Sequence, residues 1–101
     1  MFDKLFQAQQ KAEEIRKRLD SVTVVGQAEG GKIQVTATAN REFKEIRIDP
    51  DFLARADREE LEELLVVAVN HAVKQADNIS QTEMQAATQD MLGGLGGMFG
   101  Q

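Results

Sequence analysis

Hydrophobic and polar residues alternate between Lys32 and Pro50, in the stretch KIQVTATANREFKEIRIDP. A side-chain period of two predicts strands that have one buried and one solvated face. The alternation covers residues 32–39, is interrupted at Asn40 and Arg41, and resumes at Glu45 within a strand predicted over residues 43–49. Asn40 and Arg41 are candidate turn residues, so the stretch predicts a β-hairpin. Phe43 is out of phase with the isoleucines that follow it, and we place it at the turn or at an irregularity.

Residues 22–29 precede this hairpin in the chain and predict one further strand, because the segment begins with β-branched residues. Gly30-Gly31 then separates two extended runs and suits a two-residue hairpin turn, in which both positions take positive φ. A phosphate-binding glycine loop is the alternative, but that loop requires a helix directly after the glycines, and here a strand follows. Gly26, inside the first strand, indicates a bulge or a close backbone approach.

Two helices flank these strands. Residues 2–20 contain no Gly or Pro, and their apolar positions recur every three or four residues, a narrow stripe that suits packing along one neighbouring helix better than lying flat on a sheet. An ordinary core-facing helix is the alternative that the same periodicity allows. Residues 57–91 also lack Gly and Pro, and Asp57 is a candidate N-cap with a carboxylate three residues later. One stripe of this long helix suits the sheet: Leu61, Leu65, Ala68, Ala72, Ala76 and Ile79.

The long helix is also apolar on its other sides. A helix of about 35 residues is about 52 Å long, whereas a strand of about eight residues spans only about 26 Å. One small sheet therefore cannot cover the helix, and a second subunit is the economical explanation, with an interface that includes Val66, Val69 and Val73. We predict an α+β fold of order α-β-β-β-α, with a three-stranded antiparallel sheet in a single domain of residues 1–91. A flexible tail, residues 92–101, follows.

Composition and charge narrow the functional classes. The 101 residues include no Cys and one His, so we expect no disulfide, no metal site and no cofactor. The N-terminus is not a secretory signal and no apolar run is long enough to span a membrane, so we expect a soluble intracellular protein. The formal net charge is −5, but residues 1–20 carry a net +1 and residues 51–101 a net −6.

Residues for catalysis are scarce. A serine triad needs a nucleophile beside an oriented histidine, but His71 is predicted mid-helix and neither Ser21 nor Ser80 lies in an elbow-like context. The paired carboxylates that open the long helix are typical of a solvated helix start rather than of an acid–base pair. We predict that the chain is not an enzyme and has no small-molecule substrate.

Taken together, these elements resemble the YbaB/EbfC family of bacterial nucleoid-associated proteins. The match extends over nearly the whole chain and rests on the order and spacing of four segments: MFDKLFQAQQKAEEI, VVGQAEGGKIQVTATA, IRIDPDFL and LEELLVVAVNHAVKQA. The resemblance implies a homodimer whose helical arms project like tweezers. It also implies cytoplasmic, nucleoid-associated binding of double-stranded DNA with little sequence preference, and a role in gene regulation.

DNA affinity depends mostly on neutralising phosphates, so an acidic chain needs a local patch of cations. The first helix is the best candidate, because Lys4, Lys11 and Arg18 recur every seven residues and Arg16 and Lys17 lie nearby. Lys74, on the long helix, completes the predicted set. The alternative for this patch is a set of solubilising charges balanced by neighbouring acids. A second candidate patch, Arg41, Lys44 and Arg47, is offset by three nearby acids.

A different class of function remains open from the sequence. The net −6 of residues 51–101 suits a basic protein partner better than DNA, and the tail carries Leu92, Leu95, Met98 and Phe99. A protein-interaction module that docks a partner on the acidic long helix or on this apolar tail is therefore the alternative hypothesis.

Overall fold

The computed structural model describes the backbone of residues 2–99 and the side chains of residues 3–90. The first helix has the predicted bounds, and the strands begin or end within one residue of the predictions. In chain order the elements are α1 (Phe2–Asp20), β1 (Thr23–Ala28), a short 3₁₀ turn (Glu29–Gly31), β2 (Ile33–Thr38), β3 (Phe43–Ile48), α2 (Pro50–Arg55) and α3 (Arg58–Phe99).

The three strands form one antiparallel sheet in the order β1-β2-β3, which confirms the predicted α+β fold. Alternate residues of β2, including Ile33 and Val35, are fully buried under α3. The side of α3 that covers them is the predicted stripe, in which Ala68, Ala72 and Ala76 are buried and Leu61, Leu65 and Ile79 pack at the margin. Helix α3 contacts mainly β1 and β2; on the core face of β3, Ile48 packs against this core, whereas Ile46 and Phe43 stay exposed.

Gly26 lets α3 lie directly on β1. A Cβ atom at this position would overlap the carbonyl oxygen of Ala68 and the backbone nitrogen of Ala72, and would come within 2.8 Å of the Ala72 Cβ. Only glycine on the strand and alanine on the helix allow so short a separation. The predicted close backbone approach at Gly26 is confirmed.

The turn between β1 and β2 differs from the prediction. Gly30 and Gly31 do take positive φ, of 64° and 92°, but Glu29 also does, at 52°. Because the last pair of the ladder is Ala28 with Ile33, the connection has four residues rather than two. The prediction of a two-residue hairpin turn was wrong, because the 3₁₀ turn starts one residue before the glycines.

The turn between β2 and β3 lies at Asn40 and Arg41, as predicted. The backbone N–H of Thr38 donates to the Glu42 carbonyl at 2.8 Å, and Arg41 takes a φ of 66°. The register then shifts between Thr36 and Ala37, so that Ala37 pairs with Phe43. This bulge is the irregularity expected at Phe43, and it brings Phe43 onto the same face as Ile46.

Helix α2 is an element that the sequence pattern does not predict. Pro50 stands at its first helical position, where the missing N–H costs nothing and the ring holds a helical φ. The Asp49 carboxylate caps the helix by accepting from the Phe52 N–H at 3.0 Å. The helix is only six residues long, too short for a periodic pattern to reveal it.

Helix α3 begins as predicted, because the Asp57 carboxylate accepts from the Glu60 N–H at 2.8 Å. Its end differs: the helix continues through the glycines to Phe99, beyond the predicted end at Met91. Glycine costs about 1 kcal/mol in a helix relative to alanine, which weakens a helix without forbidding it. The side chains of the predicted tail lie outside the described residues. None of the helices that the structure describes combines the length and hydropathy needed to cross a bilayer.

Candidate nucleic-acid interface

Helix α1 packs against the part of α3 that extends past the sheet. Its residues Ile15 and Leu19 are buried in a second small core together with Ala39, and Ile79 and Ala87 of α3 border this core. Towards its N-terminus α1 becomes exposed, and the side chain of Leu5 is 64% exposed. The two helices form a projecting arm, which contributes to a longest dimension of 66 Å.

The predicted cations of α1 are all exposed on this arm. At 3.6 residues per turn, Lys4, Lys11 and Arg18 lie along one flank of the helix, beside the buried stripe. Arg16 lies on the other flank and Lys17 points away from α3. The cations therefore surround the solvent side of α1 rather than forming one compact cluster.

Ion pairing separates these cations into two groups. The guanidinium of Arg18 pairs with the carboxylate of Glu83 on α3, so part of its charge is neutralised within the chain. Lys4, Lys11, Arg16 and Lys17 have no carboxylate within ion-pair distance among the described side chains. Four of the five predicted α1 cations thus keep their charge available to an anionic ligand.

The second patch considered, around β3, behaves differently. Arg41 pairs with Asp77 at 3.0 Å, Lys44 with Glu42 at 3.1 Å, and Arg47 with Glu45 at 3.1 Å. Each cation there has its own carboxylate, so this region offers no excess of positive charge. The contrast favours α1 as the anion-binding surface.

Lys74 does not join the α1 cations. It lies between the buried Ala72 and Ala76 along α3 but on the opposite side of the helix, so it faces away from the sheet. Helix α1 packs further along α3, near Glu83 and Ala87. Lys74 is exposed, but the fold places it apart from the predicted patch.

A cleft of about 510 Å³ lies where α1, α3 and the β2–β3 turn meet. Its lining includes the apolar side chains of Ile15, Leu19 and Met84 and the cations Arg16 and Arg41. The amide of Asn40 closes one end by donating to the Arg16 carbonyl at 2.8 Å and to the Asp20 carboxylate at 2.6 Å. Of the two arginines, Arg41 is paired with Asp77, whereas Arg16 has no carboxylate within ion-pair distance among the described side chains. Within residues 3–90, no group of three His, Asp or Glu side chains could hold a metal ion.

A second surface contains the residues predicted for a dimer interface. Val66 is 59% exposed, whereas Val69 and Val73 are half-buried, and the three lie along one flank of α3. Asp77 continues this flank, and its ion pair with Arg41 places the flank on the side of α3 that faces β3. There the core face of β3 presents Ile46 and Phe43, which are 54% and 44% exposed.

Comparison with known proteins defines the class to which this fold and its cationic arm belong. The model of the YbaB/EbfC DNA-binding family matches residues 1–91, and the chain belongs to that family. The family is defined by DNA binding and is not a class of enzymes. The recognition made from the sequence is confirmed.

Individual relatives agree with this assignment. A protein named as nucleoid-associated from Flavobacterium johnsoniae is 38% identical over 98 residues, which cover 97% of this chain and 91% of the relative. Another, from Bradyrhizobium diazoefficiens, is 38% identical over 104 residues, covering 100% of this chain and 94% of the relative. The crystal structure of an uncharacterized Helicobacter pylori protein has a TM-score of 0.66 at 18% identity, covering 77% of this chain and 90% of that one, and so shares the fold.

Proposed function

We propose that this chain is a homodimeric protein of the nucleoid that binds double-stranded DNA with little sequence preference, and so helps to organise the nucleoid and regulate gene expression. The observation that carries the proposal is the contrast between two sets of cations. Those of α1 are exposed and mostly unpaired among the described residues, whereas those around β3 are each matched by a carboxylate.

Backbone binding fits this arrangement better than base readout. Lysine and arginine side chains spread around a solvent-exposed helix can contact phosphates in several orientations, and phosphate contacts carry no sequence information. The arm also places these cations away from the acidic start of α3, where Glu59, Glu60, Glu62 and Glu63 are exposed. A chain of net charge −5 therefore presents its cations at a distance from most of its acids.

The homodimer is supported by the uncovered half of the sheet. Ile46 and Phe43 lie on the core face of β3, but α3 of the same chain packs mainly on β1 and β2 and leaves these two side chains exposed. The exposed Val66 lies on the flank of α3 that faces β3, together with Val69 and Val73. Exposed apolar side chains gathered on one side of a chain mark an association site, and a second copy of the chain would cover them while doubling the number of α1 cations.

The nucleoid role is supported by the relatives, which are named as nucleoid-associated proteins and match almost the whole chain. Weakly specific binding by a dimer with two cationic arms suits a protein that coats or bridges DNA. A regulatory effect on genes would follow from occupancy rather than from recognition of individual sites.

Two triple variants that remove the same charge test the proposal. We expect Lys4→Ala/Lys11→Ala/Lys17→Ala to lose most of its affinity for a labelled duplex of about 30 base pairs, and Arg41→Ala/Lys44→Ala/Arg47→Ala to keep it. The measurement is fluorescence anisotropy at about 50 and 200 mM salt. For the wild type we expect affinity to fall by about 10³-fold or more over this range, as for six or more phosphate contacts.

Sedimentation of each variant verifies that the assembly state is unchanged. Equal losses of affinity in the two variants would show that only overall charge matters and would contradict the assignment of the interface to α1. Absence of wild-type binding at the lower salt concentration would contradict the function itself.

A further inference from the structure

Two polar side chains of α3 bond to the outer edge of the sheet. The backbone N–H of Gln27 donates to Nδ1 of His71 at 2.9 Å, and the amide nitrogen of Gln75 donates to the Val25 carbonyl at 2.8 Å. The amide nitrogen of Gln75 also lies 3.0 Å from Nε2 of His71, so the two side chains are in contact. Both bonds are made to β1, a terminal strand of the sheet.

The bonded backbone groups are ones that an added strand would use. Along an antiparallel edge strand, alternate residues direct their N–H and C=O groups to the neighbouring strand and to the open side. The Ala39 N–H donates to the carbonyl of Val22, the residue opposite it in the ladder. Even-numbered residues of β1 therefore direct their backbone N–H and C=O groups towards β2. Val25 and Gln27 therefore face outwards, and for the Val25 carbonyl and the Gln27 N–H α3 supplies the partners that a further strand would otherwise supply.

The bonded residues of α3 and of β1 have nearly the same spacing, which explains how a helix can replace a neighbouring strand at this edge. His71 and Gln75 are four residues apart, a rise of about 6 Å along the helix, and Val25 and Gln27 are about 6.6 Å apart along the strand. The absence of a side chain at Gly26 brings α3 close enough for short polar side chains to reach over the edge. Because His71 bonds to Gln27 and Gln75 bonds to Val25, α3 runs antiparallel to β1.

The opposite edge of the sheet has no such cover. Among the described residues, no side chain donates to or accepts from the backbone of β3, and Ile46 and Phe43 on its core face are exposed. An uncovered terminal strand with exposed apolar side chains is a site for pairing with another chain. The sheet therefore has one closed edge and one open edge.

We propose that His71 and Gln75 close the β1 edge against strand addition by further copies of this chain, so that association through the sheet stops at a closed pair. Two sheets that each have a single open edge leave no open edge once they have joined. Sheets with two open edges continue to add copies and form open-ended chains. The limit of two rests on the homodimer proposed above, whereas the closure of the β1 edge does not.

The test compares two double variants of the full chain without DNA. His71→Ala/Gln75→Ala removes both edge partners, and Asn70→Ala/Gln81→Ala removes two exposed polar side chains from the side of α3 that faces away from the sheet. We expect the first variant to form species larger than the wild type, whose mass rises with concentration in light scattering. We expect the control to keep the wild-type mass at every concentration.

A second readout follows the edge itself. Exchange of the Gln27 amide proton with solvent, measured by NMR, should become at least tenfold faster in His71→Ala than in the wild type. His71→Asn should restore slow exchange, because the Asn Oδ1 stands close to the position of the imidazole Nδ1 and can accept the same bond. This single-residue comparison remains informative if the double variant fails to fold.

Three outcomes would overturn the proposal: an unchanged mass in His71→Ala/Gln75→Ala, an equal rise in the control, or Gln27 exchange that does not respond to His71→Ala. The homodimer has a separate readout, since a monomeric wild type would contradict the dimer while leaving the Gln27 exchange test intact.

Discussion

The guanidinium of Arg18 and the carboxylate of Glu83 form an ion pair that joins α1 to α3 across 65 positions of sequence. The arginine side chain is 59% exposed and the glutamate side chain 31% exposed, so water screens the pair and its contribution to stability is small. Its larger effect is on charge, because it holds one of the five α1 cations against an acid of the same chain.

Releasing Arg18 should strengthen DNA binding. Glu83→Gln removes the paired carboxylate, and we expect the affinity for duplex DNA to rise severalfold. The log–log dependence of affinity on salt should steepen by about 0.9 for each additional phosphate that the protein neutralises. Glu59→Gln is the matched control, since it changes the net charge equally at the other end of α3. Equal increases of affinity in the two variants, by anisotropy titration, would mean that Arg18 plays no special part.

Adjacent valines of α3 should differ in their effect on assembly. Val66→Glu places a charge on the flank that faces β3, so we expect the mass in solution to fall to that of a monomer. Val67 is similarly exposed, at 52%, but lies on the flank that carries His71, so Val67→Glu should keep the wild-type mass. Sedimentation equilibrium distinguishes the two, and a monomeric Val67→Glu would place the interface elsewhere.

The contact of Gly26 with α3 should be sensitive to one added carbon. We expect Gly26→Ala to lower the free energy of unfolding by about 1–3 kcal/mol, because the methyl group meets backbone atoms that cannot move independently. Gly30→Asn is the control: nothing surrounds that position within 4 Å, and asparagine tolerates its positive φ. Urea unfolding measures both, and a neutral Gly26→Ala would show that α3 can shift outwards freely.

The N-cap of α3 should make a measurable contribution to stability. Asp57→Ala removes the acceptor of the Glu60 N–H, and we expect a loss of about 1 kcal/mol in the free energy of unfolding. Asp57→Ser keeps a side-chain acceptor and should retain most of the stability that Asp57→Ala loses. If alanine and serine proved equally stable in urea unfolding, the cap would contribute little in this context.

The parts of the fold that were predictable are those with a strong period. The alternation around Ile33 and Val35 identified the buried face of β2, and the stripe that includes Ala68 and Ala72 identified the side of α3 that covers it. Both patterns arise because burial repeats with the geometry of the element. Gly26 was informative for a related reason, since a strand tolerates glycine where another backbone comes close.

Other features depend on single interactions and could not be read from a period. Helix α2 rests on one cap from Asp49 and one proline, and the 3₁₀ turn starts at Glu29, a residue with no special preference for positive φ. The pairing of Arg18 with Glu83 and the bonds of His71 to β1 join residues far apart in sequence. Sequence alone could nominate the α1 cations, but it could not distinguish those that the fold neutralises.

The continuity of α3 has a mechanical consequence. The same helix rests on the sheet through Ala68, Ala72 and Ala76 and then runs on as one strut of the arm, without a break as far as Phe99. About 20 residues of helix beyond the sheet form a lever of about 30 Å, so a tilt of about 10° at the alanines displaces the tip by about 5 Å. The direction of the arm therefore depends on how closely α3 approaches β1 at Gly26. The small side chains of the three alanines set this distance, and so determine the position of the α1 cations at the far end of the arm.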